Sequence, residues 1–111
     1  LANVETVLAT PTDPQLPVES VDLVLMVDVY HELYWPAEVM TAIVRSLAPG
    51  GRVALVEYRA GDPSVPIKPL HTMSETQVRA EMTAVGLEWV ETLDVLPRQH
   101  LMFFRRPPDR R

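Results

Sequence analysis

The sequence predicts an α/β fold with a mostly parallel sheet and a reversed C-terminal strand. The first observation is a pair of near-continuous apolar runs, VDLVLMV at residues 21–27 and RVALVE at residues 52–57. A run that is apolar on both faces suits a strand buried between helix layers. The second observation is the short link LPRQ before the last predicted strand, which allows an antiparallel hairpin but no parallel crossover. The length of 111 residues fits one domain, expected at residues 1–106 with a flexible basic tail at 107–111.

In the N-terminal half, residues 4–8 (VETVL) predict a short strand, and the three prolines within residues 9–18 predict a loop. After the strand at residues 21–27, Pro36 suits the first turn of a helix. Apolar residues then recur at helical spacing: Val39, Met40, Ile43, Val44 and Leu47. The motif Pro49-Gly50-Gly51 is expected to end this helix and turn the chain into the strand at 52–57.

In the C-terminal half, residues 60–73 contain three prolines and predict an extended loop. Structureless loops of more than ~12 residues in compact domains are often functional. Ser74 and Gln77 form a capping-box pair at the start of a second helix, which Gly86 ends. Strands at 87–95 and 100–105 complete the order strand, strand, helix, strand, helix, strand, strand.

Composition and charge exclude several classes of function. The chain is 47% hydrophobic and 23% charged, which is typical of a globular protein. Its net charge of −5 argues against a nucleic-acid surface, and the basic FRRPPDRR end is expected to be a solvated terminus. No apolar run reaches the ~18 residues that span a bilayer, and we expect no leader segment, because the first residues lack a basic-then-apolar pattern. The absence of cysteine removes disulfides and thiolate chemistry and is compatible with a cytoplasmic protein.

Polar residues follow both apolar runs, at the point where each predicted strand ends. In parallel sheets, ligands bind just beyond the carboxyl ends of the strands. A crevice is therefore predicted there, lined by Asp28, Tyr30, His31, Glu32, Glu57, Tyr58 and Arg59.

Five residues can nominally bind a metal ion: His31, Glu32, Glu57, His71 and His100. None of the pairs has H-x-x-H or H-E-x-x-H spacing, so we expect no metal site. A Ser/His/Asp hydrolase is equally unsupported, because the sequence lacks the G-x-S-x-G motif of the nucleophile elbow.

The whole chain resembles the C-terminal part of a class I S-adenosylmethionine-dependent methyltransferase. The resemblance is carried by NVETVLA, ESVDLVLMVDVYHEL, SLAPGGRVALVEY, GLEWVETLD and HLMFFRR, in that order. It implies a Rossmann-like methyltransferase sheet, S-adenosylmethionine as cofactor and methyl transfer to a small-molecule acceptor. The four glycines form no G-x-G-x-x-G segment. The N-terminal strands and helices of the family are therefore expected to be missing, and the chain is expected to be the substrate-side part and inactive alone.

By the same resemblance, the end of the first long strand would carry the catalytic contact. His31 is the leading candidate for a general base, because imidazole ordinarily titrates near neutrality. Asp28 would orient His31 or contact the cofactor, and Tyr30 would form a wall of the pocket. Two alternatives stay open: a structural role, in which His31 caps the next helix or packs against Trp35, and a role in orienting the substrate.

The resemblance also places cofactor contacts at Thr10 and Pro11, near the adenine, and at Met26 and Val27, near the methionyl part. Thr10 departs from the family pattern, which often has an acidic residue there. Because Pro11 has no backbone N–H to donate, adenine recognition is expected to be weaker or different at this site.

Substrate contacts are expected from Glu57, Arg59, Lys68 and His71. The two cations, Arg59 and Lys68, suit an anionic substrate. The loop PSVPIKPLHTM, which carries Lys68 and His71, is interpreted as a lid over the substrate or, alternatively, as a surface connector.

Without the N-terminal strands of the family, the strand at 21–27 would be an exposed hydrophobic sheet edge, which invites pairing with another chain. We expect a homodimer, aggregation, or pairing with the missing N-terminal part. The alternative function is a non-catalytic methyltransferase-like domain that acts as a protein-interaction or dimerisation module. We expect no nucleic-acid or membrane partner.

Overall fold

Four strands and two helices make up the fold within residues 2–108. The strands are β1 (Val21–Val27), β2 (Leu47–Tyr58), β3 (Glu88–Leu93) and β4 (Gln99–Arg105). The helices are α1 (Pro36–Ser46) and α2 (Glu75–Ala84), with short 3-10 turns at Tyr30–Glu32 and Pro69–His71. The structure is a computed structural model that describes residues 2–108. Residues 109–111 of the predicted basic tail lie outside the described residues.

The strands form one mixed sheet in the order β1-β2-β4-β3. β1 pairs with β2 in parallel, with Val27 opposite Val56. β4 runs antiparallel to both β2 and β3, so the predicted reversal of the last strand and the predicted hairpin are confirmed. The carboxyl ends of β1 and β2 therefore meet at the same edge of the sheet. β1 is an edge strand of the described sheet, as expected.

The core lies between the helices and one face of the sheet. Alternate residues of β2 and β4 belong to the same buried cluster as the apolar faces of the two helices, which places both helices on one side. The fully buried side chains include Met40, Leu47, Val53, Leu55, Val78, Met82, Met102 and Phe104. On the opposite face, the β1 side chains of Leu23, Leu25 and Val27 are 55%, 61% and 48% exposed.

Residues 4–8 form no strand, so this prediction was wrong. Val4, Val7 and Leu8 are exposed, and β-propensity alone does not hold a strand that lacks a neighbour. The loop predicted for residues 9–18 is confirmed. Backbone bonds from Glu19 and Ser20 to the carbonyls of Arg45 and Ser46 lead the chain into β1.

The motif Pro49-Gly50-Gly51 does not end α1, which stops earlier, at Ser46. The strand begins at once, because Leu47 already pairs with Val21 of β1. Gly51 is needed for a different reason from the one predicted: a Cβ at this position would lie 2.8 Å from the carbonyl oxygen of Ala48 and 2.9 Å from that of Val21. The motif therefore packs the start of β2 against β1.

α2 begins as the sequence predicts. The Ser74 hydroxyl accepts a hydrogen bond from the backbone N–H of Gln77, over 3.1 Å. The Gln77 side chain donates to Glu81 instead of returning to Ser74, so half of the capping box is formed. Gly86 follows the helix with a φ of +91°, which is the left-handed conformation expected at this stop. Within residues 2–108, no helix has the length and apolar character needed to cross a membrane.

Candidate functional site

A short turn after β1 carries the predicted catalytic residues. The turn starts at Asp28, whose φ of +54° is left-handed and whose backbone N–H still bonds to Val56 of β2. The chain then enters the 3-10 turn at Tyr30–Glu32 instead of continuing past the sheet. This reversal brings His31 back toward the carboxyl end of β2.

His31 and Glu57 form the central pair of the site. The backbone N–H of His31 donates to Glu57 Oε1 over 3.1 Å, and Nδ1 of the ring lies 2.6 Å from Glu57 Oε2. The Glu57 residue is 1% exposed, and burial raises the pKa of its carboxyl above the usual range, although the hydrogen bonds from His31 oppose that shift. In the tautomer in which Nδ1 donates to the Glu57 carboxylate, Nε2 is the ring nitrogen left to accept a proton or a ligand.

Tyr30 is held from the opposite side, by α2. Its hydroxyl donates to Glu81 Oε1 over 2.6 Å, and the residue is 4% exposed. Burial, followed by the hydrogen bond to Glu81, raises the pKa of the Tyr30 phenol well above its usual range. The phenol therefore stays protonated near neutral pH and supports the turn. It also lines a depression with His31 and Met73, and its role as a wall of a ligand pocket stays a prediction.

Asp28 contacts β4 and not the imidazole. Both of its carboxylate oxygens accept from Gln99 Nε2, at 3.0 and 2.7 Å. The residue that orients His31 in the structure is Glu57, which the sequence suggested as a substrate contact. Of the two structural alternatives for His31, capping of α1 finds no support, because the N-cap residue Trp35 shows no side-chain cap bond.

The other expected substrate contacts are distributed around this edge. The His71 ring lies against the His31 ring in an edge-on arrangement, with centroids 5.4 Å apart. The guanidinium of Arg59 donates to the carbonyls of Leu96 and Pro97, each over 2.7 Å, so it anchors the β3–β4 link. Lys68 is exposed. The loop thus brings His71 into the site and leaves Lys68 at the surface.

An open groove borders the exposed side of the His31 ring. It is lined by His31, Glu32, Leu33, Tyr34 and His71. A second depression adjoins it, where Asp28, Tyr58 and Ile67 meet the same two histidines. Tyr34 is 93% exposed at the rim. A crevice is therefore present at the carboxyl ends of the two parallel strands, and it is lined by His31, whose ring contacts the buried Glu57.

The expected cofactor contacts lie on β1 and on the loop before it. Met26 faces the core, whereas Val27 projects from the open face at the carboxyl end of the strand. Thr10 and Pro11 are exposed, and the N–H of Thr10 bonds to the carbonyl of Asp13 over 2.7 Å. Which of these residues contact a cofactor stays a prediction.

Several contacts of the site have no counterpart in the sequence motifs. Gln99 and Glu81 hold the two ends of the turn, and neither lies near Asp28 or Tyr30 along the chain. Likewise, the fold brings His31, Glu32 and His71 together, although their spacing matches no metal-binding motif. Only the strand register and the path of the proline-rich loop reveal these neighbours.

Comparison with known proteins gives one family match. Residues 1–55 match the family model described as a methyltransferase domain. A search of curated proteins finds no match to the chain.

Solved structures share the fold at low sequence identity. A SAM-dependent methyltransferase from Aquifex aeolicus superposes with a TM-score of 0.85 and 20% identity, over 94% of this chain and 55% of that one. A putative type 11 methyltransferase from Sulfolobus solfataricus gives 0.77 and 19%, over 92% and 58%. A putative methyltransferase from Haloferax volcanii, solved in complex with the Trm112 activator, gives 0.73 and 16%, over 99% and 66%. The chain thus spans little more than half the length of the first two.

Proposed function

Because the family match and the shared fold support a class I S-adenosylmethionine-dependent methyltransferase, we propose that this chain is the substrate-side part of such an enzyme. S-adenosylmethionine is the proposed methyl donor and a small molecule the proposed acceptor. The observation that carries the proposal is the His31–Glu57 pair at the carboxyl ends of two parallel strands, where α/β sheets bind ligands.

Methyl transfer needs two aligned reactants and, for an O–H or N–H acceptor, a group that takes the proton. When bound, S-adenosylmethionine supplies an electrophilic methyl group on a sulfonium. Because the cofactor would supply the reactive methyl group, the main contribution of this chain to catalysis would be to position the two reactants. In this proposal, Nε2 of His31 takes the acceptor proton, and Glu57 holds the ring and stabilises the imidazolium.

The remaining residues of the proposal position the ligands. Val27 and Met26 would lie along the methionyl part of the cofactor, with Thr10 and Pro11 on the adenine side. Tyr34 and His71 border the groove beside Nε2 and would contact the acceptor. Asp28, which Gln99 holds in place, would mark the boundary between the two ligands.

Titration calorimetry with S-adenosylhomocysteine tests the cofactor assignment. We expect binding by the intact protein and weak or no binding by residues 1–111 alone. Val27→Asp puts a charge against the proposed methionyl contact and should weaken binding at least about tenfold, a loss of about 1.4 kcal/mol. Val95→Asp is the matched control, because Val95 is also exposed and lies in the β3–β4 link.

Absence of binding by the intact protein would contradict the methyltransferase proposal and favour the interaction module instead. Equal binding by Val27→Asp and the control would remove Val27 from the site while leaving the cofactor assignment intact. Circular dichroism of both variants separates a lost contact from a lost fold.

The open face of β1 supports self-association as part of the proposal. Leu23, Leu25 and Val27 expose apolar side chains along an edge strand, and such edges pair with further chains. We expect residues 1–111 to form dimers or larger species at high concentration in static light scattering. Leu25→Lys should shift the mass toward the monomer, whereas Val18→Lys, at an equally exposed position outside the strand, should not. A monodisperse monomer for the unmodified chain would contradict this expectation.

A further inference from the structure

Three side chains of types that can ligate metal ions converge on the groove beside His31. One ligand atom from each of His31, Glu32 and His71 lies within 4.8 Å of the other two. Nε2 of His31 is 3.8 Å from Glu32 Oε1, which is too long for a hydrogen bond. The convergence combines a turn after β1 with a loop after β2, so it arises from the fold and not from a local sequence motif.

The buried carboxylate of Glu57 prepares His31 to act as a ligand. Histidines that bind metal ions commonly donate their other ring N–H to a carboxylate, which fixes the tautomer and the ring orientation. Nδ1 of His31 lies 2.6 Å from Glu57 Oε2, and only 7% of the His31 side chain is exposed. The ring is thereby held with Nε2 near Glu32 and with the His71 ring beside it in an edge-on arrangement.

We propose that His31, Glu32 and His71 bind a divalent transition-metal ion, with Zn²⁺ as the best match. Two imidazole nitrogens and one carboxylate oxygen form a donor set that suits zinc, and three protein ligands leave a fourth position open. In a tetrahedral site with bonds of about 2.0–2.1 Å, ligand atoms lie about 3.3 Å apart. Glu32, whose side chain is 62% exposed, can close the 3.8 Å gap by rotation at the surface.

The metal and the acceptor proton require the same lone pair of His31. A bound Zn²⁺ would therefore inhibit proton transfer to Nε2, and this consequence rests on the proposed function. The metal site itself does not, because its test measures metal binding in the absence of any methyl donor. Failure of one proposal leaves the other standing.

Calorimetric titration with ZnCl₂ tests the site, using the intact, metal-stripped protein without a histidine tag. We expect one Zn²⁺ per chain with a dissociation constant in the micromolar range or tighter. His71→Gln and Glu32→Gln should each weaken binding at least about tenfold, and both residues are accessible enough for the fold to survive substitution. His100→Gln and Glu38→Gln are the matched controls, because they change the same residue types outside the cluster.

Glu57→Gln tests the positioning of the ring and should weaken Zn²⁺ binding by about 10–100-fold. Titration with Co²⁺ provides a second measurement, since visible absorption bands of a four-coordinate ion should appear with the unmodified protein and disappear with His71→Gln. Absence of Zn²⁺ binding, or equal affinity in the controls and in both ligand variants, would overturn the proposal.

Discussion

His31→Gln is expected to lower kcat for methyl transfer by about 10²–10⁴-fold in the intact enzyme, the range found when a general base is lost. Glutamine approximates the reach of the imidazole toward Glu57 but has no group that accepts a proton near neutral pH. The expected loss corresponds to about 2.7–5.5 kcal/mol of transition-state stabilisation. The KM for S-adenosylmethionine should stay within about threefold, because the ring does not line the proposed cofactor side.

The measurement follows S-adenosylhomocysteine formation, with the acceptor on which the intact enzyme is most active in a screen of phenols, carboxylic acids and amines. His100→Gln is the matched control: His100 lies opposite Glu57 in β4 but does not line the groove beside His31. If turnover by His31→Gln stays within about threefold of the unmodified enzyme, His31 is a structural residue and the proposed base is wrong.

Phe104→Ala should produce the largest loss of stability, about 3–5 kcal/mol in the free energy of unfolding. Phe104 is 0% exposed in β4, on the face of the sheet that both helices cover, so its removal leaves a cavity in the core. Phe103→Ala is the matched control on the same strand. Its side chain projects from the opposite, open face, and we expect less than half the effect.

Urea denaturation followed by circular dichroism measures both variants, and a changed slope would reveal a change in the unfolded or native ensemble. Comparable losses for Phe103→Ala and Phe104→Ala would contradict the assignment of one covered and one open face.

The elements that were predicted correctly are those whose structure is specified by their own local sequence. The apolar run at residues 21–27 forms the strand β1, although only one of its two faces packs against the core. Ser74 caps α2 through a bond made within a single turn, so local sequence is sufficient. The link before β4 is too short to permit any arrangement but a hairpin.

The predictions that were wrong depended on contacts with residues far away in the sequence. Residues 4–8 have strand-forming side chains but no neighbouring strand, and β-structure is a property of pairs. The motif at Pro49 has the residues of a helix stop, yet the pairing of Leu47 with Val21 starts the strand first. In both cases, tertiary contacts override a local preference.

The site also combines features that local sequence predicts with features that depend on tertiary contacts. The sequence offers His31 as a candidate because it follows the end of a strand, and the apolar run before it shows where that strand ends. Its partner Glu57 was found as a member of the crevice, but its contact with His31 depends on the β1–β2 register and on the left-handed turn at Asp28. His71 lies on a loop whose path cannot be predicted from local sequence.

The turn that carries Tyr30 and His31 is fastened at both side chains, by α2 on one side and by β2 on the other. Ordering the backbone of a mobile turn costs about 1–2 kcal/mol of conformational free energy per residue. In this protein the turn is already ordered in the folded state. A ligand that docks beside His31 therefore encounters a preorganised surface, and no disorder-to-order step reduces its affinity.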